Sequence, residues 1–175
     1  VAHWAQPPAG ASPEFQNVAW GNNRPVAYRF RVAPGAAKRV MLGFCESYKK
    51  TLFQRTAVME VEGAAAQSAD LALNAPLNQP QVFLFDARDE NNDGWINVRV
   101  FGPQGQDPNS TLATIAVYPA GLGLNREELV AGSLAPKDRA ELRIACGLEM
   151  SRQAPRTDLL HARYSGDLTP ALLIK

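Results

Sequence analysis

Residues 81 to 101 read QVFLFDARDENNDGWINVRVF, and two candidate chemistries sit within them. Asp89, Asn91, Asp93 and Gly94 set oxygen donors at alternate positions ahead of a glycine that permits a sharp turn, the first half of a calcium loop. The twelfth position of that loop is Val100, not a bidentate glutamate, so a structural calcium ion would draw further donors from Asp86 or from backbone carbonyls. The competing reading is a plain hairpin loop, since Asn, Asp and Gly tolerate left-handed turns. Next, Trp95, Asn97 and Arg99 alternate with Ile96, Val98 and Val100, which gives one apolar face and one polar face. A flat ring beside an amide and a guanidinium suits sugars, because the ring stacks on C–H faces while the polar groups bond hydroxyls in plane. Glu60 and Glu62 join this row if their outward face belongs to the same sheet. The competing reading here is the solvated face of any half-buried strand.

Further along the same lines, Tyr48, Lys49, Lys50 and Phe53 fall in a loop after an apolar strand, and loops at one end of a sandwich are a usual place for recognition. Arg55 and Glu46 are suited to an ion pair between neighbouring strands, a structural role. Catalysis finds little support. The histidines are His3 and His161 alone, so a Ser/His/Asp triad, a zinc site and a histidine acid or base all lack their residues. No carboxyl pair is singled out for glycoside hydrolysis, and no phosphate loop or dinucleotide fingerprint occurs. Asn109, Ser110 and Thr111 form a formal glycosylation sequon.

The elements that must position these residues read as short strands. The first 25 residues, rich in Pro, Gly, Ala and Asn, predict an irregular arm anchored by Trp4, Phe15 and Trp20. Strand signals follow at Val26 to Val32, Lys38 to Tyr48, Arg55 to Glu62, more weakly Ala69 to Leu73, then Gln81 to Phe85, Trp95 to Phe101 and Leu112 to Tyr118. Strands at this spacing, with 13 Pro and 13 Gly between them, predict an all-β fold, an antiparallel sandwich of jelly-roll or Greek-key order. After Pro119 the character changes. Asn125 with Glu128 three residues on is a capping-box-like start for a short helix to Val130. Lys137 to Leu148 leans to helix over strand, because Asp138 suits a first turn after Pro136. Leu159 to Lys175 holds two β-like pieces split by Ser165, Gly166 and Asp167. The expected organisation is a sandwich over residues 1–119 with a mixed extension over 120–175 that packs on it or begins another module.

At 175 residues and 19.0 kDa the chain suits one domain with an appendage. Lys and Arg number 18 against 17 Asp and Glu, scattered without a basic run, which argues against nucleic acid and anionic membranes as partners. No stretch approaches the roughly 20 apolar residues of a membrane span. The opening at Val1, without an initiator Met, suggests a mature product or an excised piece. Cys45 and Cys146 are too few for a disulfide framework; a bridge between them and a buried thiol at Cys45 both remain open.

With the strands in place, Val26 to Pro119 resembles a malectin-like carbohydrate-binding domain, a galactose-binding-type jelly roll. Tyr28, Arg29 and Phe30 followed by Pro34 and Gly35 resemble the family's strand and turn ahead of its "LHFAE" strand, which here reads Leu42, Gly43, Phe44, Cys45, Glu46. Arg55 to Gly63 resembles the next strand, Phe85 and Asp86 with Gly94 to Val100 the later hairpin, and Ile115 to Tyr118 the closing strand. The family's glycine-rich opening with its Tyr and Asp has no counterpart. The resemblance implies a non-catalytic module of a larger secreted or surface protein, extracellular or periplasmic, that binds an oligosaccharide or polysaccharide. Its ligand residues would be Trp95, Asn97, Arg99, Tyr48 and Glu60, with Asp86, Asp89, Asn91 and Asp93 around calcium. The alternative is a structural sandwich that packs against neighbouring domains of the larger protein without binding sugar.

Overall fold

The computed structural model describes residues 4–131 and 140–147 in full and 169–173 as backbone. Eleven strands are found among them: β1 Ala19–Gly21, β2 Val26–Arg31, β3 Ala37–Cys45, β4 Thr56–Val61, β5 Gln67–Asp70, β6 Pro80–Arg88, β7 Trp95–Phe101, β8 Ser110–Leu112, β9 Thr114–Pro119, β10 Leu142–Ala145 and β11 Thr169–Leu173. Two antiparallel sheets carry the fold. One has four strands in the order β10-β9-β3-β6, the other five in the order β11-β2-β7-β4-β5, and β1 and β8 form a small ribbon. This is the all-β sandwich that the strand spacing predicts. Among the described residues, no helix is long and apolar enough to cross a membrane.

The five-stranded sheet follows from alternation. Val26, Tyr28 and Phe30 of β2, Ile96, Val98 and Val100 of β7, and Ala57, Met59 and Val61 of β4 all enter the layer between the sheets. There they meet Val40, Leu42, Phe44, Phe85, Ile115 and Val117 of the opposite sheet. The intervening residues of β2 and β7 face outward and, apart from Ala27, are polar or aromatic.

The four-stranded sheet has no such polar face. From Val40 to Cys45 every residue of β3 is buried, because Met41 and Cys45 enter a second cluster on its outer side with Val82, Ala116 and Tyr118. A strand apolar on both faces needs cover on both. The N-terminal arm supplies much of the outer cover: Ala5 and Phe15 are buried there, and Trp4 packs beside them. Phe15 sits on the 3-10 turn Pro13–Gln16. Gly43 lets that ring close on the sheet, since a Cβ at residue 43 would lie 2.8 Å from Phe15 Cε1 and 2.5 Å from Thr114 Cγ2. A buried ion pair fixes the arm in place. Glu14 accepts from Arg143 Nε at 3.1 Å and from the Thr114 hydroxyl at 3.2 Å, and its second oxygen also meets Arg143 Nη2.

The structure revises several sequence expectations. Trp20 is no anchor; it is 49% exposed on the β1–β8 ribbon. The helical reading of Lys137 to Leu148 gives way to strand β10, which pairs with β9 from Leu142↔Val117 to Ala145↔Thr114; residues 137–139 and 148 lie outside the described residues. Leu142 and Ile144 enter the inter-sheet core while Arg143 turns to Glu14, so pairing and two-sided burial override local helix signals. Ala69 to Leu73 is likewise part strand and part helix. The Asp70 carboxylate accepts from Ala72 N and caps α1, Leu71–Asn74. The expected cap at Asn125 forms, its side chain accepting from Glu127 N ahead of α2, Arg126–Val130. Of the tail, β11 pairs by its backbone with β2, and the rest lies outside the described residues.

Both cysteines are buried, and no disulfide joins them. Cys45 belongs to the outer cluster and Cys146 to the inner one. Burial, followed by the neighbouring Glu46 charge, pushes the Cys45 thiol up to about 12.

If the arm is integral to the fold, Phe15→Ala will lower the unfolding free energy by about 3 to 5 kcal/mol, as for other buried aromatics. Trp20→Ala, at an exposed site, will change it by no more than about 0.5 kcal/mol. Urea denaturation of the two variants checks the contrast.

Candidate ligand surfaces on a loop end and a sheet face

One end of the sandwich gathers the chain segments 22–25, 46–55, 70–79 and 102–109, which join the ends of β1 through β8. Glu46 and Arg55 organise it. The two residues flank consecutive strands that lie in opposite sheets, so their ion pair, 2.8 Å from Arg55 Nε to Glu46 Oε2, fastens the two layers and does more than link neighbouring strands. Both side chains are buried. The other Glu46 oxygen accepts from the backbone N–H groups of Ser47, Tyr48 and Lys49 at 3.1, 2.7 and 2.9 Å. Arg55 Nη1 donates to the Asn109 carbonyl at 3.1 Å. Asp107 closes the network, with Lys49 Nζ 3.5 Å away. Burial alone would raise the Asp107 carboxyl, but the Asn109 N–H and amide, with the Arg55 and Lys49 charges, hold it below the ordinary aspartate range.

This scaffold presents side chains to solvent. Tyr48 is 76% exposed and Phe53 55%, with Leu52 of the same loop and Leu73 of α1 also exposed. Phe53 has φ 64°, a left-handed conformation that costs a bulky residue about 1 to 3 kcal/mol and is found at functional sites. Asp70 holds it there by accepting Phe53 N–H at 2.6 Å. The sequon at Asn109 is engaged by the same loops: its side-chain Nδ2 donates to Asp107, its side-chain Oδ1 accepts from Asn23 N, and Ser110 and Thr111 are buried.

The outer face of the five-stranded sheet holds the other predicted residues. Glu60 does share the face with the β7 row, and Glu62 reaches it from the end of β4. Arg99 Nη1 lies 3.3 Å from Glu60 Oε2 and its guanidinium stands over Phe101 at 4.5 Å. Asn97 Nδ2 donates to Glu62 Oε2 at 2.5 Å. Trp95 is half-buried, covered by arginines of β2 and not by the described residues of the arm: the Arg29 guanidinium lies 4.4 Å and that of Arg31 5.7 Å from the ring centre. Alternation within β7 alone gives no sign of these arginines. The signal that finds them is register, because β2 and β7 pair Arg31↔Trp95 and Arg29↔Asn97. Tyr48 does not join this row. It stands at the loop end, beside the opposite end of β7 from Trp95.

The acidic loop lies at the far end of the sandwich. Asp89 is buried, and its carboxylate accepts from Gly35 N at 3.0 Å, Gly94 N at 2.9 Å and Asp93 N at 3.2 Å. Burial pushes its pKa up, yet the backbone N–H groups of Gly35, Gly94, Asp93 and Asn92 outweigh this and hold it below the ordinary range. Asn91 accepts from Asp93 N at 2.9 Å, and Asp93 accepts from Trp95 N at 2.9 Å. Asp86 is not gathered with them; it pairs with Arg39 at 2.5 Å. Among the described residues, no group of three or more His, Cys, Asp or Glu side chains is arranged to hold a metal ion.

No family model matches the sequence, and no curated protein matches it. Solved structures do. The chain is similar to the plant receptor-like kinase ANX1, with TM-score 0.50 and 13% identity over 59% of this chain and 31% of that one. It is also similar to the ANXUR1 extracellular domain from Arabidopsis thaliana, with TM-score 0.49 and 15% identity over 65% of this chain and 37% of that one. These ectodomains are malectin-like. The fold of this chain is malectin-like too. At 13% identity the likeness concerns the fold alone, and the chain spans about a third of the length of the chains it matches.

The Asp89 hydrogen bonds have a pH signature. A carboxyl held low in the folded state contributes stability that is complete above its unfolded value of about 4 and is lost as pH falls through the folded value. Asp89→Asn is expected to lower the urea midpoint at pH 7, with the gap to the parent closing below about pH 4. A gap that stays constant down to pH 2 would contradict this role.

Proposed function

We propose that this domain is a non-catalytic carbohydrate-binding module of a larger extracellular protein, and that it takes neutral sugar at the loop end around Tyr48. The observation that carries the reading is how Tyr48 is held: three successive N–H groups, its own among them, converge on one buried carboxylate oxygen, while its ring is left 76% exposed. An aromatic ring on a prefixed backbone loses little entropy when a sugar stacks on it. Phe53, in its constrained conformation, supplies a second ring from the same loop, and Lys49 and Lys50 supply donors at the rim. The Trp95 row supports neutral sugar less well, because guanidinium groups already lie over its ring. The acidic loop enters this reading as a hydrogen-bonded turn in place of a calcium site.

A second reading rests on the same end of the molecule. Tyr48, Leu52, Phe53 and Leu73 are the exposed large apolar side chains there, and such a group also suits contact with a neighbouring domain.

A glycan array probed with the purified chain, with and without calcium, separates these readings. Selective binding of neutral glycans that falls about tenfold or more in Tyr48→Ala, with an unchanged urea midpoint, is the expected result. Binding that survives Tyr48→Ala would place the site elsewhere. A blank array under both conditions would transfer the loop end to the domain-contact reading, and binding only with calcium would return the ion to loop 89–94.

A further inference from the structure

The outer face of the five-stranded sheet carries a feature that neutral sugar binding does not use. Arg29 and Arg31 are exposed and stand two residues apart on β2, about 7 Å along the strand. Both lie over the Trp95 ring. Arg39, Arg55, Arg99 and Arg143 each meet a carboxylate, whereas Arg29 and Arg31 meet none among the described residues. A guanidinium over an aromatic face keeps its N–H edge available, and that edge forms a rigid fork matching the oxygens of a carboxylate or sulfate. Contact with the ring also holds the fork in place before any ligand arrives.

The rest of the face narrows the ligand. Beside the arginines along β7 and β4 stand Asn97 with Glu62, and Arg99 with Glu60. The two glutamates accept hydrogen bonds and repel other carboxylates, so an acidic peptide or a uniformly charged surface would meet repulsion along half of the row. A ligand with an anionic group at one point and hydroxyls along its length fits both halves. The arm packs on the other sheet, and Arg29, Arg31, Asn97 and Arg99 are exposed on this face.

We infer that this face is a second binding site, for saccharide chains bearing carboxylate or sulfate groups. Arg29 and Arg31 take the anionic group over Trp95, and Glu60, Glu62 and Asn97 take hydroxyls. The site is separate from the loop end and does not depend on sugar binding at Tyr48.

Backbone-matched probes test it. Affinity electrophoresis of the whole chain through gels containing dextran, carboxymethyl-dextran or dextran sulfate compares the neutral, carboxylated and sulfated forms of one polymer. The expected result is stronger retardation by one or both charged forms than by dextran, with the preferred form identifying the anion. Retardation should fall about tenfold or more in the Arg29→Gln/Arg31→Gln double variant. It should fall nearly as far in Arg29→Lys/Arg31→Lys, which keeps the charge and loses the fork. Arg24→Gln, an exposed site at the end of the sandwich, and Tyr48→Ala should leave it unchanged. Absence of retardation by both charged forms overturns the inference. So does equal retardation by dextran, an equal loss in Arg24→Gln, or full retention in the lysine double variant. A loss in Tyr48→Ala alone overturns it as well, by moving the charged ligand to the loop end.

Discussion

The burial of β3 on both of its faces is the constraint from which the rest of the molecule follows. Val40, Leu42 and Phe44 point into the inter-sheet layer and Met41 and Cys45 away from it, so one sheet packed against the strand is not enough. The second cover comes from residues distant in sequence. The arm brings Phe15 over Gly43, α2 brings Leu129, and β10 brings Arg143 to the buried Glu14 carboxylate. With the four-stranded sheet enclosed, polar side chains are left one broad sheet face, the outside of β2, β7 and β4, together with the loops at the ends. Both candidate ligand surfaces lie in that remainder.

Much of the fold was legible because period-two alternation is a local property. Ile96, Val98 and Val100 read as core from the sequence and are core. Legibility failed where the decisive partner was distant. Leu142 to Ala145 looks tolerable as helix until β9 is present to pair with it. Trp20 looks like an anchor until the ribbon it belongs to proves to have an open side. At the candidate surfaces the same division holds. Trp95, Asn97 and Arg99 were visible as one row, but the arginines over Trp95 belong to a strand some 65 residues earlier, and only register joins them. The Glu46 and Arg55 pair was visible as an ion pair, and its position between opposite sheets was not.

The two surfaces differ in how they are held. The loop end depends on buried charge: Glu46, Arg55 and Asp107 satisfy one another and the backbone, and removing one would leave the others uncompensated in a desolvated place. The sheet face depends on hydrogen-bonded strands, and its side chains interact through exposed pairs worth little individually. Changes at the face are therefore tolerated by the fold far better than changes beneath the loops.

The separation of Cys45 and Cys146 into clusters on either side of one sheet has a consequence for where the domain can work. Neither thiol is positioned for the other, and burial keeps Cys45 protonated across the physiological range, so it offers little of the thiolate that oxidants and disulfides attack. The fold thus has no covalent crosslink to gain in an oxidising compartment or to lose in a reducing one. Its stability is set by packing, hydrogen bonds and buried ion pairs such as Glu46 with Arg55, with no disulfide between the two cysteines. A cysteine introduced at an exposed position such as residue 48 would be the chain's one readily modified thiol.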